Sequence, residues 1–267
     1  MPIITLLTDF GTTDEYVGLM KGAILSINPS AVIVDITHNI DPQDVTAAAY
    51  AIDSAYGYFP PGTIHAAVVD PEVGSRRKAL ALQANGHYFC APDNGILSMV
   101  IKKSNTVRAV DLTNADYFRQ KVSHIFHGRD IFGPVAAHLS LDVNLNLLGR
   151  KLDADDLVMA DIPVPAIDSR HRIEGQVISV DRFGNLTTNI NADIIAQWRR
   201  HVKVQTPIIC IGPVTIAGLV DYYAEVPEGQ LVALIGSRDL LEISVNRGNA
   251  RHVLGVNTGE PVCITSK

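Results

Sequence analysis

Charge is sparse in this chain and forms no long run of either sign: charged residues make up 19% of 267 positions, with a formal net charge of −6. Such a surface lacks the basic footprint that nucleic acid or an anionic membrane requires, so the expected partner is a small molecule, with no nucleic acid and no membrane. No apolar stretch reaches the ~20 residues of a membrane-spanning helix. The run in MPIITLLTDF stops at Asp9 and has no basic region before it, so no signal peptide is expected and the expected location is cytoplasmic. Cysteine is scarce too. Cys90, Cys210 and Cys263 are odd in number, far apart and set in apolar, strand-like stretches, which points to reduced core thiols rather than disulfides or a metal cluster. No Asp-x-Asp follows the first apolar run, and neither a GxxxxGK[ST] loop nor an HExxH helix occurs. The acids at strand ends are therefore not expected to hold Mg²⁺ for a phosphohydrolase, and no metal is expected.

Hydrophobic residues are plentiful at 47%, enough to pack one large domain or two ordinary ones. Two textures follow one another. Up to about residue 140, short runs such as IITLLTDF, AVIVDIT and TIHAAVVD alternate with helical patterns such as YVGLMKGAILSI and DVTAAAYAIDSAY. Continuous apolar strands separated by helices predict an α/β domain with a mainly parallel sheet covered on both faces. Residues 152–169, LDADDLVMADIPVPAIDS, combine prolines and acids without periodicity, as a linker does. After them RIEGQVISVDRFGNLTTNI, VALIGSRDLLEISVN and EPVCITS alternate in period two around Gly and Asn turns, with no helical stretch of comparable length. That pattern predicts a smaller all-β, barrel-like domain. The expected organisation is an α/β N-terminal domain over 1–152, a linker over 153–169 and an all-β C-terminal domain over 170–267.

Ligands of open α/β sheets bind beyond the carboxyl ends of the strands. The first predicted strand ends at Thr8-Asp9-Phe10-Gly11, the second at Asp35-Ile36-Thr37-His38 and the third at Asp70-Pro71, which sets three acids at one edge. An aspartate there also serves as a helix N-cap, although Asp14 and Asp44 stand ready for that task. Asp35 is assigned to structure, Asp70 to function, and Asp9 is divided evenly between them. In VVDPEVGSRR, residues 68–77, Asp70 follows an apolar strand, where desolvation raises a carboxyl pKa unless a cation favours the ionised form. Arg77 can return through the Pro-Glu-Val-Gly turn as that permanent cation, whereas Arg76 points the other way along an extended segment. A structural ion pair is the bland account of the same two residues. In SHIFHGRDIFGPVAAHL, residues 123–139, His124 and His127 precede a helix expected to start near Asp130. A histidine there is often a cap or a packed ring, but beside an acid and an arginine it completes a candidate proton-handling site. His127 is preferred because Gly128 would permit close ligand approach.

The ordered set LLTDFG, DPEVGSRR, FHGRDIFGPVAA, DRFGNLTTNI and IGSRDLLEISVNRGNA closely resembles the S-adenosylmethionine hydroxide adenosyltransferases, hydrolase relatives of the fluorinase and chlorinase enzymes. The resemblance spans nearly the whole chain. It implies cleavage of S-adenosyl-L-methionine by water into adenosine and L-methionine, with no metal or cofactor. It also implies a homotrimer whose active sites lie between the N-terminal domain of one subunit and the C-terminal domain of its neighbour. The family's Asp-Arg-His set falls on Asp70, Arg77 and His127, which would position and activate the attacking water, either Asp70 or His127 taking the proton. Asp9 corresponds to the carboxylate that holds the ribose hydroxyls. Asp181 and Asn185 correspond to residues on the methionine amino and carboxylate groups, Ser237 and Arg238 to the same end of the ligand, and Asn246 to the adenine. The Gly-Asn composition of DRFGN also suits a hairpin turn with no ligand.

Two other activities are weighed against hydrolysis. In the fluorinase the position matching Asp70 holds a neutral tyrosine, whereas a carboxylate about 4 Å from a halide costs roughly 4 kcal/mol at an effective dielectric near 20. The chain also lacks the fluorinase's long insertion between PDNG and FHGRD. Both features disfavour a halogenase making a 5′-halo nucleoside. A non-catalytic protein binding an adenosyl ligand would not require the Asp70, Arg77 and His127 set. Glu72 stands where many relatives have glycine and is expected to face solvent.

Overall fold

A computed structural model describes residues 1–266, and the chain divides into two compact units, Met1–Asp161 and Ile162–Lys267. The first runs β1 (Ile3–Thr8), α1 (Tyr16–Ile27), β2 (Val32–Thr37), α2 (Val45–Ala55), β3 (Ile64–Val68), β4 (Ala79–Ala84), β5 (His87–Pro92), α3 (Ser98–Lys102), β6 (Val107–Leu112), α4 (Gly133–Leu139) and β7 (Gly149–Leu152). Its seven strands form one sheet in the order β2-β1-β3-β5-β4-β6-β7. The pairs β1–β2, β1–β3 and β3–β5 are parallel, while β4–β5, β4–β6 and β6–β7 are antiparallel. The sheet is therefore mixed, which corrects the expectation of a mainly parallel one. The cause is local. Asn85 and Gly86 between β4 and β5 both have positive φ, 51° and 80°, the conformation of the two-residue turn that suits an antiparallel hairpin.

Side-chain alternation explains why the strands read as continuous apolar runs. Ile4, Leu6, Ala66 and Val68 pack on one face with Met20 and Ile24 of α1 and Val135 of α4. Leu7 and Ala67 pack on the other with Ala48 and Ile52 of α2 and Val100 of α3. Both faces are covered, so neither set of positions can be polar.

The second unit runs β8 (Ala166–Ile167), β9 (Ile173–Val180), β10 (Leu186–Asn191), α5 (Ala192–Val202), β11 (Ile208–Ile211), β12 (Val214–Ala217), β13 (Leu231–Ile235), β14 (Leu240–Val245), α6 (Ala250–Leu254) and β15 (Pro261–Thr265). The strands pair antiparallel in the order β12-β11-β15-β9-β10-β14-β13, with β8 added beside β9. A bridge from Val220, just beyond β12, to Leu234 of β13 brings the two ends of the sheet together, so it is nearly a barrel.

Helix α5 corrects the expectation of a unit without substantial helix. The Asn191 side chain caps it by accepting from Ile194 N at 2.8 Å, Asp193 lies in its first turn, and Arg199, Arg200 and His201 lie in its last. These charges match the two ends of the helix dipole, and Ile195 and Trp198 bury its inner side. A second correction concerns the thiols. Cys90 is buried, but Cys210 and Cys263 are directly paired across β11 and β15, half-buried on the face opposite Ile209 and Ile264. Among the described residues no helix is long and apolar enough to cross a membrane.

Candidate active site

Parallel pairing brings three strand ends to one edge of the first sheet: Leu7 lies opposite Thr37, and Thr8 opposite Val68. Asp9 follows β1 and Asp70 follows β3 at this edge. Asp35 sits inside β2, paired with Leu6, rather than at its end. Its role is structural, as expected, though as an ion pair with Lys21 at 2.6 Å rather than as a helix cap. Asp44 does cap α2, accepting from Ala47 N at 2.8 Å.

The segment 70–77 folds back on itself through bonds from Val73 N to Asp70 O, 3.3 Å, and from Ser75 N to Glu72 O, 3.0 Å. Gly74 has a φ of +80°, and a Cβ on it would run into the His124 carbonyl, so the absent side chain lets this turn press against the loop bearing His127. Arg77 thereby reaches Asp70. Its Nε donates to Oδ1 at 3.0 Å and to Oδ2 at 2.9 Å, and its Nη2 closes on Oδ2. The two side chains are 6% and 5% exposed. The same Nη2 donates to His127 Nδ1 at 2.7 Å, and the guanidinium carbon lies 5.4 Å from the centre of the Phe132 ring. Arg76 and Glu72 are exposed.

A guanidinium only donates, so its bond to Nδ1 fixes the His127 tautomer: a lone pair on Nδ1 and the hydrogen on Nε2. Burial, and then the Arg77 charge, push the His127 pKa below its ordinary value against the opposing pull of Asp70 and Asp130. The ring is accordingly neutral at physiological pH, and the anionic acceptor of the trio is Asp70.

His127 precedes a π-helical turn, Gly128–Phe132, that leads into α4. Widened turns of this kind are often found at functional sites. Gly128 admits an aromatic ring of the protein itself, since a Cβ there would lie 3.1 Å from Phe10. Asp130, to which sequence reasoning gave no role, is fully buried and accepts from Arg129 Nε at 2.7 Å, Arg129 Nη2 at 2.9 Å and Ser123 N at 2.8 Å. Burial raises its pKa, but these bonds outweigh it and hold the carboxyl below the usual range. It thereby ties down both ends of the His127 loop.

In the second unit, Asp181 closes its own turn. Oδ1 accepts from Phe183 N and Asn185 N, each at 2.9 Å, and Oδ2 accepts from Asn185 Nδ2 at 2.9 Å. The hairpin account of DRFGN is thus correct as far as it goes. Ser237 and Arg238 lie in the turn between β13 and β14, with Ser237 exposed. Arg238 Nη2 donates to Ser179 Oγ at 2.6 Å and Thr187 Oγ1 at 2.8 Å. Among the described residues no carboxylate lies within ion-pair distance of Arg238, and burial lowers its pKa, opposed by the more distant Glu242 and Asp181. Asn246 Nδ2 donates to Val226 O at 2.7 Å, tying down the loop before β13.

A permanent cation thus holds a carboxylate and a neutral imidazole together at the carboxyl edge of the sheet. Residues 4–149 match the SAM hydroxide adenosyltransferase N-terminal domain and residues 175–263 the SAM hydroxide adenosyltransferase C-terminal domain, so the chain belongs to that family. It is 34% identical to the (R)-S-adenosyl-L-methionine hydrolase of Salinispora tropica, over 99% of this chain and 98% of the relative. Identity to the enzyme of that name from Thermus thermophilus is 36%, over 97% and 98%. A fluorinase from an Actinoplanes species is 29% identical over 99% and 97%. The crystal structure of an uncharacterised conserved protein from Thermotoga maritima is similar with a TM-score of 0.91 at 35% identity, covering 98% of this chain and 99% of that one.

Proposed function

We propose that this protein hydrolyses S-adenosyl-L-methionine to adenosine and L-methionine, with Asp70 accepting a proton from the attacking water, Arg77 holding Asp70, and His127 orienting the water. The activity is supported by the hydrolase relatives at 34% and 36% identity over nearly the full chain. The roles rest on one observation: a single Arg77 nitrogen bonds both Asp70 Oδ2 and His127 Nδ1.

Water attacks ribose C5′ in line with the C–S bond, and methionine sulfur leaves as a neutral thioether that needs no proton. The enzyme's task is an oriented nucleophile and a base, typically worth about 10²–10⁴ in rate. His127 Nδ1 is already occupied, so the ring offers its Nε2–H to the water oxygen. The proton passes to a carboxylate lone pair of Asp70, and the carboxylate's charge disfavours a halide in the same place.

For the substrate, Asp9 holds the ribose hydroxyls. Asp181, Asn185, Ser237 and Arg238 take the methionine end, and Asn246 contacts the adenine. Arg238 best supports this, because a half-buried guanidinium bonded to two neutral hydroxyls keeps its full charge for a carboxylate ligand. The protein acts as a homotrimer in which two copies contribute to each site, a reading that rests on the family resemblance and is checked by its mass in solution. Incubation with S-adenosyl-L-methionine, with and without chloride or fluoride, tests the reaction: adenosine is expected in every case. A 5′-halo nucleoside would point to the halogenase, and no product to a binding protein.

A further inference from the structure

Behind Asp9 runs a chain of polar side chains that the catalytic trio does not use. Lys21 Nζ donates to Asp35 Oδ2 at 2.6 Å, and Asp35 Oδ1 lies 3.1 Å from His38 Nε2. His38 Nδ1 lies 2.8 Å from Thr8 Oγ1, which in turn accepts from Phe10 N at 3.2 Å. The His38 carbonyl accepts from Gly11 N at 2.8 Å. The two peptide N–H groups that follow Asp9 are thus both anchored to His38, one through its side chain and one through its backbone.

Burial raises the Asp35 pKa, but the Lys21 bond and the neighbouring His38 outweigh it and hold the carboxyl below its ordinary value. Asp35 Oδ1 stands at ion-pair distance from His38 Nε2 without hydrogen-bond geometry, and Nδ1 is the ring nitrogen that bonds Thr8. Nδ1 and the Thr8 hydroxyl share one hydrogen bond, and a lone pair on the hydroxyl oxygen takes the Phe10 N–H. Thr8 is 0% exposed and His38 4%, so neither reaches a ligand. From the other side Asp9 Oδ2 accepts from Gln43 N at 2.9 Å. The Asp9 backbone and side chain are therefore pinned from opposite directions.

We propose that Thr8 and His38 are positioning residues for sugar recognition: the Lys21–Asp35–His38–Thr8 chain fixes the Phe10 peptide so that Asp9 presents its carboxylate to a cis-diol. This rests on Asp9 being the ribose ligand. Two vicinal hydroxyls need two carboxylate oxygens at one set orientation, so a loose peptide after Asp9 would lose one contact while leaving the reacting C5′ and the catalytic trio alone.

The test compares S-adenosyl-L-methionine with its 2′-deoxyribosyl analogue in four proteins, reading the ratio of kcat/KM values. Wild type is expected to prefer the ribosyl substrate, and Asp9→Ala to abolish that preference. Thr8→Val keeps the shape and removes the hydroxyl. It should cut the preference by about tenfold, the weight of one buried hydrogen bond, with turnover of the deoxy analogue unchanged. Thr8→Ser should restore it. If Asp9→Ala keeps the full preference, the ribose reading of Asp9 fails and this proposal with it. If Asp9→Ala loses the preference but Thr8→Val does not, or if Thr8→Val slows both substrates equally, the positioning role alone is overturned. Should Thr8→Val fail to fold, Asp35→Ala, at the exposed end of the chain, is expected to reduce the same ratio, and an unchanged ratio overturns the proposal.

Discussion

The two units hold their charges in opposite ways. In the first, Arg77 is buried against Asp70 and His127, so cation, anion and neutral ring are already matched and their donors and acceptors already directed. In the second, Asp181 closes its own turn, while the half-buried Arg238 has neutral hydroxyls for partners. A matched cluster is prepared for chemistry, because nothing need reorganise when the nucleophile arrives. An unmatched cation is prepared for binding, because a ligand carboxylate gains a charge-assisted bond that the protein does not supply itself.

The strongest way to break this contrast is Asp70→Asn, which keeps the shape and removes the negative charge and the base. Adenosine release should fall by about 10²–10⁴ with little change in KM, and release at the wild-type rate would refute the assignment. Arg238→Gln is expected to do the reverse, raising KM about 10–100-fold through loss of bonds to a charged group and leaving kcat nearly intact. A fall in kcat with KM unchanged would move Arg238 from binding to chemistry. His127→Gln, which can still donate, should lower kcat by about tenfold. In the wild type the neutral His127 is the working form and its pKa is shifted down. Activity should therefore hold from neutrality down to pH about 6.5 and decline only below it; a decline that begins above pH 7 would contradict the neutral tautomer. The smallest effect is expected of Asp181→Asn. An amide oxygen can still accept from Phe183 N and Asn185 N, so the turn survives, and KM should rise by no more than about fivefold, the range of an exposed ion pair.

What could be read from the chain was local. Asp70 and Arg77 belong to one turn, so their pairing followed from residue types and spacing. The apolar runs of β1, β2 and β3, the helices α1 and α2, and the Asp44 cap were legible for the same reason. Two local signals were present and passed over: Asn85-Gly86, which makes the first sheet mixed, and the Asn191 cap with its trailing basic residues, which marks α5. Other features carried no local signal. Cys210 and Cys263 look isolated until antiparallel register sets them side by side. Gly128 looks like room for a ligand until Phe10 fills that room.

Residue chemistry and short-range pattern alone determined the strand-and-helix texture of this protein, its likeness to an adenosyl-cleaving family, and the acid and arginine at the centre of the site. Tertiary structure decided the rest: which nitrogen of His127 bears hydrogen, which side chains stand behind the Phe10 peptide, and that among the described residues no carboxylate lies within ion-pair distance of Arg238. Periodicity, turns and caps act over a few residues, whereas the direction of a buried hydrogen bond depends on which donors and acceptors distant segments bring together once water is gone.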